Sequence, residues 1–387
     1  MLLDADDERI LAGEQGETRQ KMLELLVALG KVFGAERLVP IRSAQVSGAS
    51  YKTIGEYGLQ WLNTLDAKAV VPAVLNPIGM DRGRWEEMGV DKDFAQKQQA
   101  VVAAYGRLGI GLECTCTPYY LRETGFGDHL AWSESSAVSY ANSVIGARTN
   151  REGGPGALAA ALVGKTPCYG FHLGKNRRPQ VVVEVQMATR DWTVADYGAL
   201  GYHAGKQVGN RIPFFTGIRP DRDQLKALGA AMAATGAVAL YHVDGVTPEA
   251  RKNPFDISGL EKIPVEIREI AKIFEEIPVE AVALGCPHCS PEELKTLARL
   301  LAGKRVTKPL YIFAAQGVID VNSDSVAVIE GSGARVYADT CMVVSPVMEQ
   351  YGSIMVNSGK ALAYVPDMCG AVARIGTTEE CVQVATE

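Results

Sequence analysis

Three cysteines stand where chemistry would collect in this sequence. Cys116, Cys286 and Cys341 each follow a short apolar run of strand character, and each belongs to a different segment of the chain. In open α/β sheets ligands bind outside the carboxyl ends of the strands. The other strand-like runs end in Ser47-Gly48, Asn76-Pro77 and His242-Val243-Asp244-Gly245. Three thiolates meeting at one pocket can bind an iron–sulfur cluster and leave one iron corner open, and an open coordination position separates a catalytic metal site from a structural one. Buried small hydrophobes are the plainer reading of the same cysteines. Zinc is the competing metal: Cys114/Cys116 and Cys286/Cys289 can supply four thiolates, although Cys-x-Cys is an unusual zinc spacing. Cys286-Pro287-His288-Cys289 also has the Cys-x-x-Cys form of a dithiol oxidoreductase. Ser290-Pro291-Glu292-Glu293 starts the next helix only after Cys289, which removes both thiols from its dipole and weakens that reading.

A second constellation is polar. Trp132-Ser133-Glu134-Ser135-Ser136 leads into Ala141-Asn142-Ser143-Val144-Ile145-Gly146 and then Ala147-Arg148-Thr149-Asn150-Arg151-Glu152-Gly153-Gly154. Ser135 or Ser136 can cap a helix ending at Gly146, after which Arg148 and Arg151 sit in a glycine-rich loop. Short polar side chains and two guanidiniums suit a carboxylate or phosphate ligand; a solvated loop with ordinary surface arginines is the alternative. His242 and His288, at strand ends, are candidate acid–base groups, although a lone loop histidine is more often structural.

The elements that must position these residues alternate in type. Helical periodicity spans 18–34, 94–108, 222–235, 265–276, 291–301 and 318–330. Strand-like runs span 37–46, 67–75, 109–116, 180–187, 237–243, 279–284, 309–314 and 334–339. Such alternation predicts an α/β fold of several βαβ units with mainly parallel sheets. The breakers in 252–264 suggest a boundary or surface loop, dividing a first α/β region, 1–251, with the polar loop, from a second, 252–387, carrying Cys286 and Cys341.

Composition bounds the rest. The 387 residues are 47% apolar and 22% charged, which supports a packed core and excludes a disordered chain. Lys and Arg number 39 against 45 Asp and Glu, a net charge of −6 with no basic block, which argues against nucleic acid as a partner. Eight scattered cysteines suit free thiols or a metal site rather than a disulfide scaffold. The N-terminus lacks a basic stretch followed by an apolar one, and no apolar run reaches membrane-spanning length, so the sequence reads as cytoplasmic with no membrane partner.

At these residues a family resemblance becomes specific. Thr115-Cys116-Thr117-Pro118-Tyr119, Ala131-Trp132-Ser133-Glu134-Ser135, the run Asn142 through Arg151, and Gly285-Cys286-Pro287-His288 resemble aconitase X, the divergent branch of the aconitase superfamily. The resemblance covers essentially the whole chain and implies an aconitase-like fold lacking the swivelling domain. It implies a hydro-lyase of one of two kinds. One is a single long chain that dehydrates cis-3-hydroxy-L-proline. The other is a large and a small subunit that together dehydrate (R)-5-phosphomevalonate to trans-anhydromevalonate 5-phosphate in a modified mevalonate pathway to isoprenoids. The chain stops at Glu387, Ser136 replaces the Asn expected of the hydroxyproline enzymes, and Cys286 replaces their Thr; all three favour the large subunit of the second kind.

Carried onto this sequence, the resemblance implies Cys116, Cys286 and Cys341 as ligands of a 4Fe–4S cluster, or 3Fe–4S if the open iron is lost. Cys114 and Cys289 are neighbours able to replace one of them, while Cys168, Cys369 and Cys381 are structural. Expected substrate contacts are Ser47, Gly48, Asn76, Glu134, Ser135, Asn142, Arg148, Asn150 and Arg151. The base is expected on a small swivelling-domain subunit, the partner of a heterodimer. A non-catalytic iron–sulfur or RNA-binding regulator is the rival from another class, opposed by the acidic charge balance.

Overall fold

The computed structural model describes residues 1–186, 192–252 and 254–387. Three parallel sheets dominate it. The first runs in the order Gly111–Cys114, Ala73–Leu75, Ala44–Val46, Ala131–Trp132. The second runs Lys262–Val265, Val181–Val185, Pro213–Thr216, His242–Val243. The third runs Arg335–Ala338, Leu310–Ala314, Ala281–Leu284, Ser353–Val356, Val372–Ile375. Central strands such as Ala281–Leu284 and Leu310–Ala314 are buried along their whole length, which is why they read as unbroken apolar runs rather than alternating ones. A small antiparallel pair, Leu38–Pro40 with Lys165–Pro167, flanks the first sheet. Among the described residues no helix is long and apolar enough to cross a membrane.

Helices with clear capping signals fall where the sequence puts them. Arg222–Thr235 starts at Asp221, whose carboxylate accepts from Gln224 N while Gln224 reaches back. Pro291–Leu301 starts at Ser290, paired likewise with Glu293. Elsewhere the expected elements divide. The run 37–46 is two short strands in different sheets, because Ile41 N turns to Gly164 O and Arg42 N to His129 O between them. The expected helix 265–276 is the end of strand Lys262–Val265 followed by the short helix Ile267–Ala271. The expected helix 318–330 is two, Gln316–Asp320 and Ser323–Gly331. In 237–243 only His242–Val243 pairs into the sheet, and Ala237 takes a left-handed φ of 56°. Of the expected strand 180–187 and loop 252–264, residues 187 and 253 lie outside the described residues. The expected division at 251/252 falls between His242–Val243 and Lys262–Val265, two strands of one sheet.

Candidate functional site

The carboxyl ends of the first and third sheets face a shared cleft of about 820 Å³. Its lining residues follow strand after strand. Ser47 and Gly48 succeed Ala44–Val46, Asn76 succeeds Ala73–Leu75, Cys116 succeeds Gly111–Cys114, and Glu134 and Ser135 succeed Ala131–Trp132. From the third sheet come Cys286 after Ala281–Leu284, Cys341 after Arg335–Ala338, and Lys360 after Ser353–Val356. Among the described residues, the second sheet's unit supplies none of the cleft's lining residues.

Two devices hold these ends in register. Within the first sheet, the buried Gln45 side chain donates to Thr115 O at 2.8 Å and accepts from Glu134 N at 3.3 Å, joining the loops of three strands. Between the sheets, Ile78 and Thr340 form a parallel bridge: Ile78 N donates to Asp339 O at 3.0 Å and Cys341 N to Ile78 O at 2.9 Å. The loop after Asn76 and the loop bearing Cys341 therefore hold each other. Gly48 takes a left-handed φ of 87°, which a residue with a Cβ adopts at a cost.

Electrostatics in the cleft centre on a buried ion pair. Glu134 and Lys360 are 8% and 5% exposed, and Nζ lies 2.5 Å from Oε1. Lys360 also donates to Ser136 Oγ at 3.1 Å. Glu134 accepts from Ser136 Oγ at 2.6 Å, from Ser135 Oγ at 3.3 Å and from Ala137 N at 2.7 Å. Burial opposes its charge, but the ammonium and these donors outweigh burial and hold the carboxyl below its ordinary range. Burial likewise opposes the charge of Lys360, and Glu134 outweighs it, so the amine stays protonated. Burial raises all three thiols, Cys116 to about 12, while Lys360 pulls each of them down.

Lys360 opens the helix Gly359–Cys369. Ser358 caps that helix, accepting from Ala361 N at 3.0 Å, and donates to the carbonyl of Cys286. The helix approaches the helix Val194–Val208 so closely that a Cβ at Gly359 would lie 2.1 Å from Gly198 O, and one at Gly198 would lie 2.9 Å from Gly359 N. Both positions need glycine for this contact. The sequence cue for Lys360 is a lysine in the first turn of a helix, where it opposes the helix dipole and is placed at a cost.

Of the expected site residues, Cys116, Cys286, Cys341, Ser47, Gly48, Asn76, Glu134, Ser135 and Arg151 line the cleft. Asn142, Arg148 and Asn150 do not, and their polar groups serve the backbone instead. Asn142 Nδ2 donates to Thr149 O and Ala239 O, and its Oδ1 accepts from Thr149 N and Arg177 Nη1. Asn150 ties Tyr169 O and Phe171 N. Arg148 donates to His172 O at 3.1 Å, so the two arginines do not converge on one ligand. The cap of the helix Ser135–Tyr140 is Glu134, not a serine; a π-helical turn, Ala141–Ile145, then carries it to Gly146. His242 is bonded to Arg177 O at 2.8 Å in the second unit, away from the cleft. All eight cysteines are free thiols. Cys114 and Cys289 sit in apolar cores rather than on the cleft wall. Among the described residues no three His, Cys, Asp or Glu side chains are close enough to hold one metal ion, so the four-thiolate zinc site is not assembled.

Parallel sheets turning their strand ends onto a cleft lined by three thiols define an aconitase-like α/β protein. Models described as the aconitase X first, second and third domains match residues 1–175, 179–275 and 279–387. The chain belongs to the aconitase X family. It is 54% identical to the phosphomevalonate dehydratase large subunit of Methanosarcina mazei, over 100% of this chain and 97% of that one. The protein of the same name from Methanothermobacter thermautotrophicus is 50% identical, over 95% and 94%. The cis-3-hydroxy-L-proline dehydratase of Pseudomonas aeruginosa is 34% identical, over 99% of this chain but 70% of the relative. The crystal structure of Thermococcus kodakaraensis aconitase X in its holo-form superposes with a TM-score of 0.92 at 44% identity, covering 100% of both chains.

Proposed function

We propose that the chain is the large subunit of an iron–sulfur dehydratase that removes water from (R)-5-phosphomevalonate to give trans-anhydromevalonate 5-phosphate. The observation that carries this reading is the convergence of three strand-end thiols and a fixed ammonium–carboxylate pair on one open cleft. The names of the 54% and 50% identical relatives supply the substrate.

The thiols fit the cluster. Cys116 and Cys341 each lie near enough to Cys286 to oppose its ionisation, yet the three thiols do not focus on the position of a single ion. Cys116, Cys286 and Cys341 would be the residues that hold a 4Fe–4S cluster, or its 3Fe–4S form. Deprotonation on loading is favoured by Lys360, which lowers all three thiols. When bound, the cluster supplies a Lewis acid for the substrate hydroxyl.

The chain's own residues do the rest. Loss of water breaks a C–H bond beside the carboxylate and a C–O bond one carbon further on, and negative charge builds on the carboxylate as the proton leaves. Lys360 is a preorganised cation for that charge, already desolvated and held by Glu134. Arg151, exposed at the cleft, is the cation available to the phosphate. The proton acceptor belongs to the small swivelling-domain subunit, which closes the cleft against water.

The test is a dehydration assay on the anaerobically reconstituted chain with and without its small subunit. Turnover is expected only with both, and Cys116→Ser, Cys286→Ser and Cys341→Ser should each lose visible absorbance and turnover while Cys381→Ser keeps them. Turnover by the chain alone, or a dispensable member of the three, overturns the reading.

A further inference from the structure

His288 is 1% exposed, and each of its four polar atoms has a partner. Its amide N donates to Cys116 Sγ at 3.1 Å. Its carbonyl accepts from Lys226 Nζ at 3.4 Å. Its ring nitrogens meet Thr340 O, at 2.9 Å from Nε2, and Thr115 Oγ1, at 3.1 Å from Nδ1. A carbonyl only accepts, so Nε2 carries the proton and Nδ1 accepts from the Thr115 hydroxyl. That hydroxyl accepts in turn from Thr117 N at 3.0 Å, which leaves its own proton for the imidazole. Both ring nitrogens are thus held, and the ring is fixed in one orientation and one tautomer.

The partners are adjacent to the thiols. Thr115 precedes Cys116, Thr340 precedes Cys341, and His288 itself stands two residues after Cys286. One side chain therefore spans the three loops that carry the three thiols, across two sheets. We propose that His288 is a positioning residue that sets the spacing of Cys116, Cys286 and Cys341 for an iron–sulfur group. The inference rests on the assignment of those thiols as ligands. Groups that orient metal ligands in this way typically govern affinity by 10- to 100-fold.

The experiment loads the reduced full-length chain with ferrous iron and sulfide under anaerobic conditions. It then follows the visible absorbance as a chelator withdraws iron. His288→Phe fills the space and breaks both ring bonds. His288→Gln keeps a donor near the Nε2 position, and His288→Asn an acceptor near Nδ1. Iron loss should be about 10- to 100-fold faster in the Phe variant and intermediate in the Gln and Asn variants, with far-ultraviolet dichroism unchanged in the latter two. If His288→Phe does not fold, a 3- to 10-fold acceleration in the folded Gln and Asn variants is still expected. Wild-type retention of iron in every variant that folds overturns the proposal. If Cys116→Ser and Cys341→Ser load and hold iron like the wild type, the ligand assignment itself has failed, and His288 with it.

Discussion

Replacing Lys360 by Met strips the partner from a carboxylate that is 8% exposed. Breaking a buried pair on one side costs about 3–5 kcal/mol, because the remaining charge is uncompensated. Here the structure sets a ceiling. Glu134 keeps its donors from Ser135, Ser136 and Ala137, and it can also escape by taking a proton. Protonation at pH 7, from an ordinary value of 4.5, is 2.5 pH units uphill, or about 3 kcal/mol at ~1.4 kcal/mol per unit. The penalty should therefore be about 3 kcal/mol at pH 7 and shrink to under about 1 kcal/mol near pH 5, where proton uptake is nearly free. Guanidinium unfolding of the single variant, of Glu134→Gln and of the double variant at both pH values measures it. The double variant should regain most of the loss at pH 7, since neither charge then stays unpaired. A Lys360→Met penalty that is the same at pH 5 and pH 7, or no penalty at either, refutes the reasoning that Glu134 is held as an anion by this lysine.

Arg151→Ala should raise KM for the phosphorylated substrate by about 10- to 100-fold, the worth of one charge-assisted contact of ~1.5–3 kcal/mol, with Arg151→Lys recovering part of it. Arg148→Ala, whose guanidinium serves His172 O, should lower stability and leave KM unchanged; the reverse pattern in steady-state kinetics would exchange their roles. Glu152 is buried and accepts from Thr166 Oγ1 at 3.3 Å, and burial raises its pKa to about 7. Folded, it keeps its proton to about pH 7; unfolded, it releases it near 4.5, so its contribution to stability is full below about pH 4.5 and lost as pH rises through 7. Glu152→Gln should match the wild type in stability at pH 4 and exceed it by up to about 3 kcal/mol at pH 8; parallel pH profiles would show that the carboxyl is not neutral in the fold.

Much of this arrangement is legible in the sequence where local chemistry decides it. The helices starting at Asp221 and Ser290 are bounded by reciprocal caps that depend only on residues three apart. The strand-end cysteines are legible because parallel sheets present their carboxyl ends to ligands. What the sequence hides is tertiary. Pro40, which cannot donate to a ladder, marks where 37–46 can break, but nothing local says that its two halves serve different sheets. Asn142 and Asn150 have the same short amides whether they meet a ligand or a neighbouring loop, and only the fold supplies Thr149, Tyr169 and Phe171 as partners. Lys360 lies 226 residues from the Glu134 it neutralises, and His288 lies 172 from the Cys116 it meets. Such pairings are set by which strands become neighbours.

The contact between Gly198 and Gly359 gives the second unit a share in the site that needs no side chain at all. Its helix is a backstop: the ammonium stands where it does because a bare backbone lets another bare backbone come flush against it. A methyl group at either position would push the start of the lysine's helix outward and shift both the cation and the serine that grips Cys286. A survey for reactive groups would pass over both positions, yet they fix the depth at which the cleft keeps its positive charge.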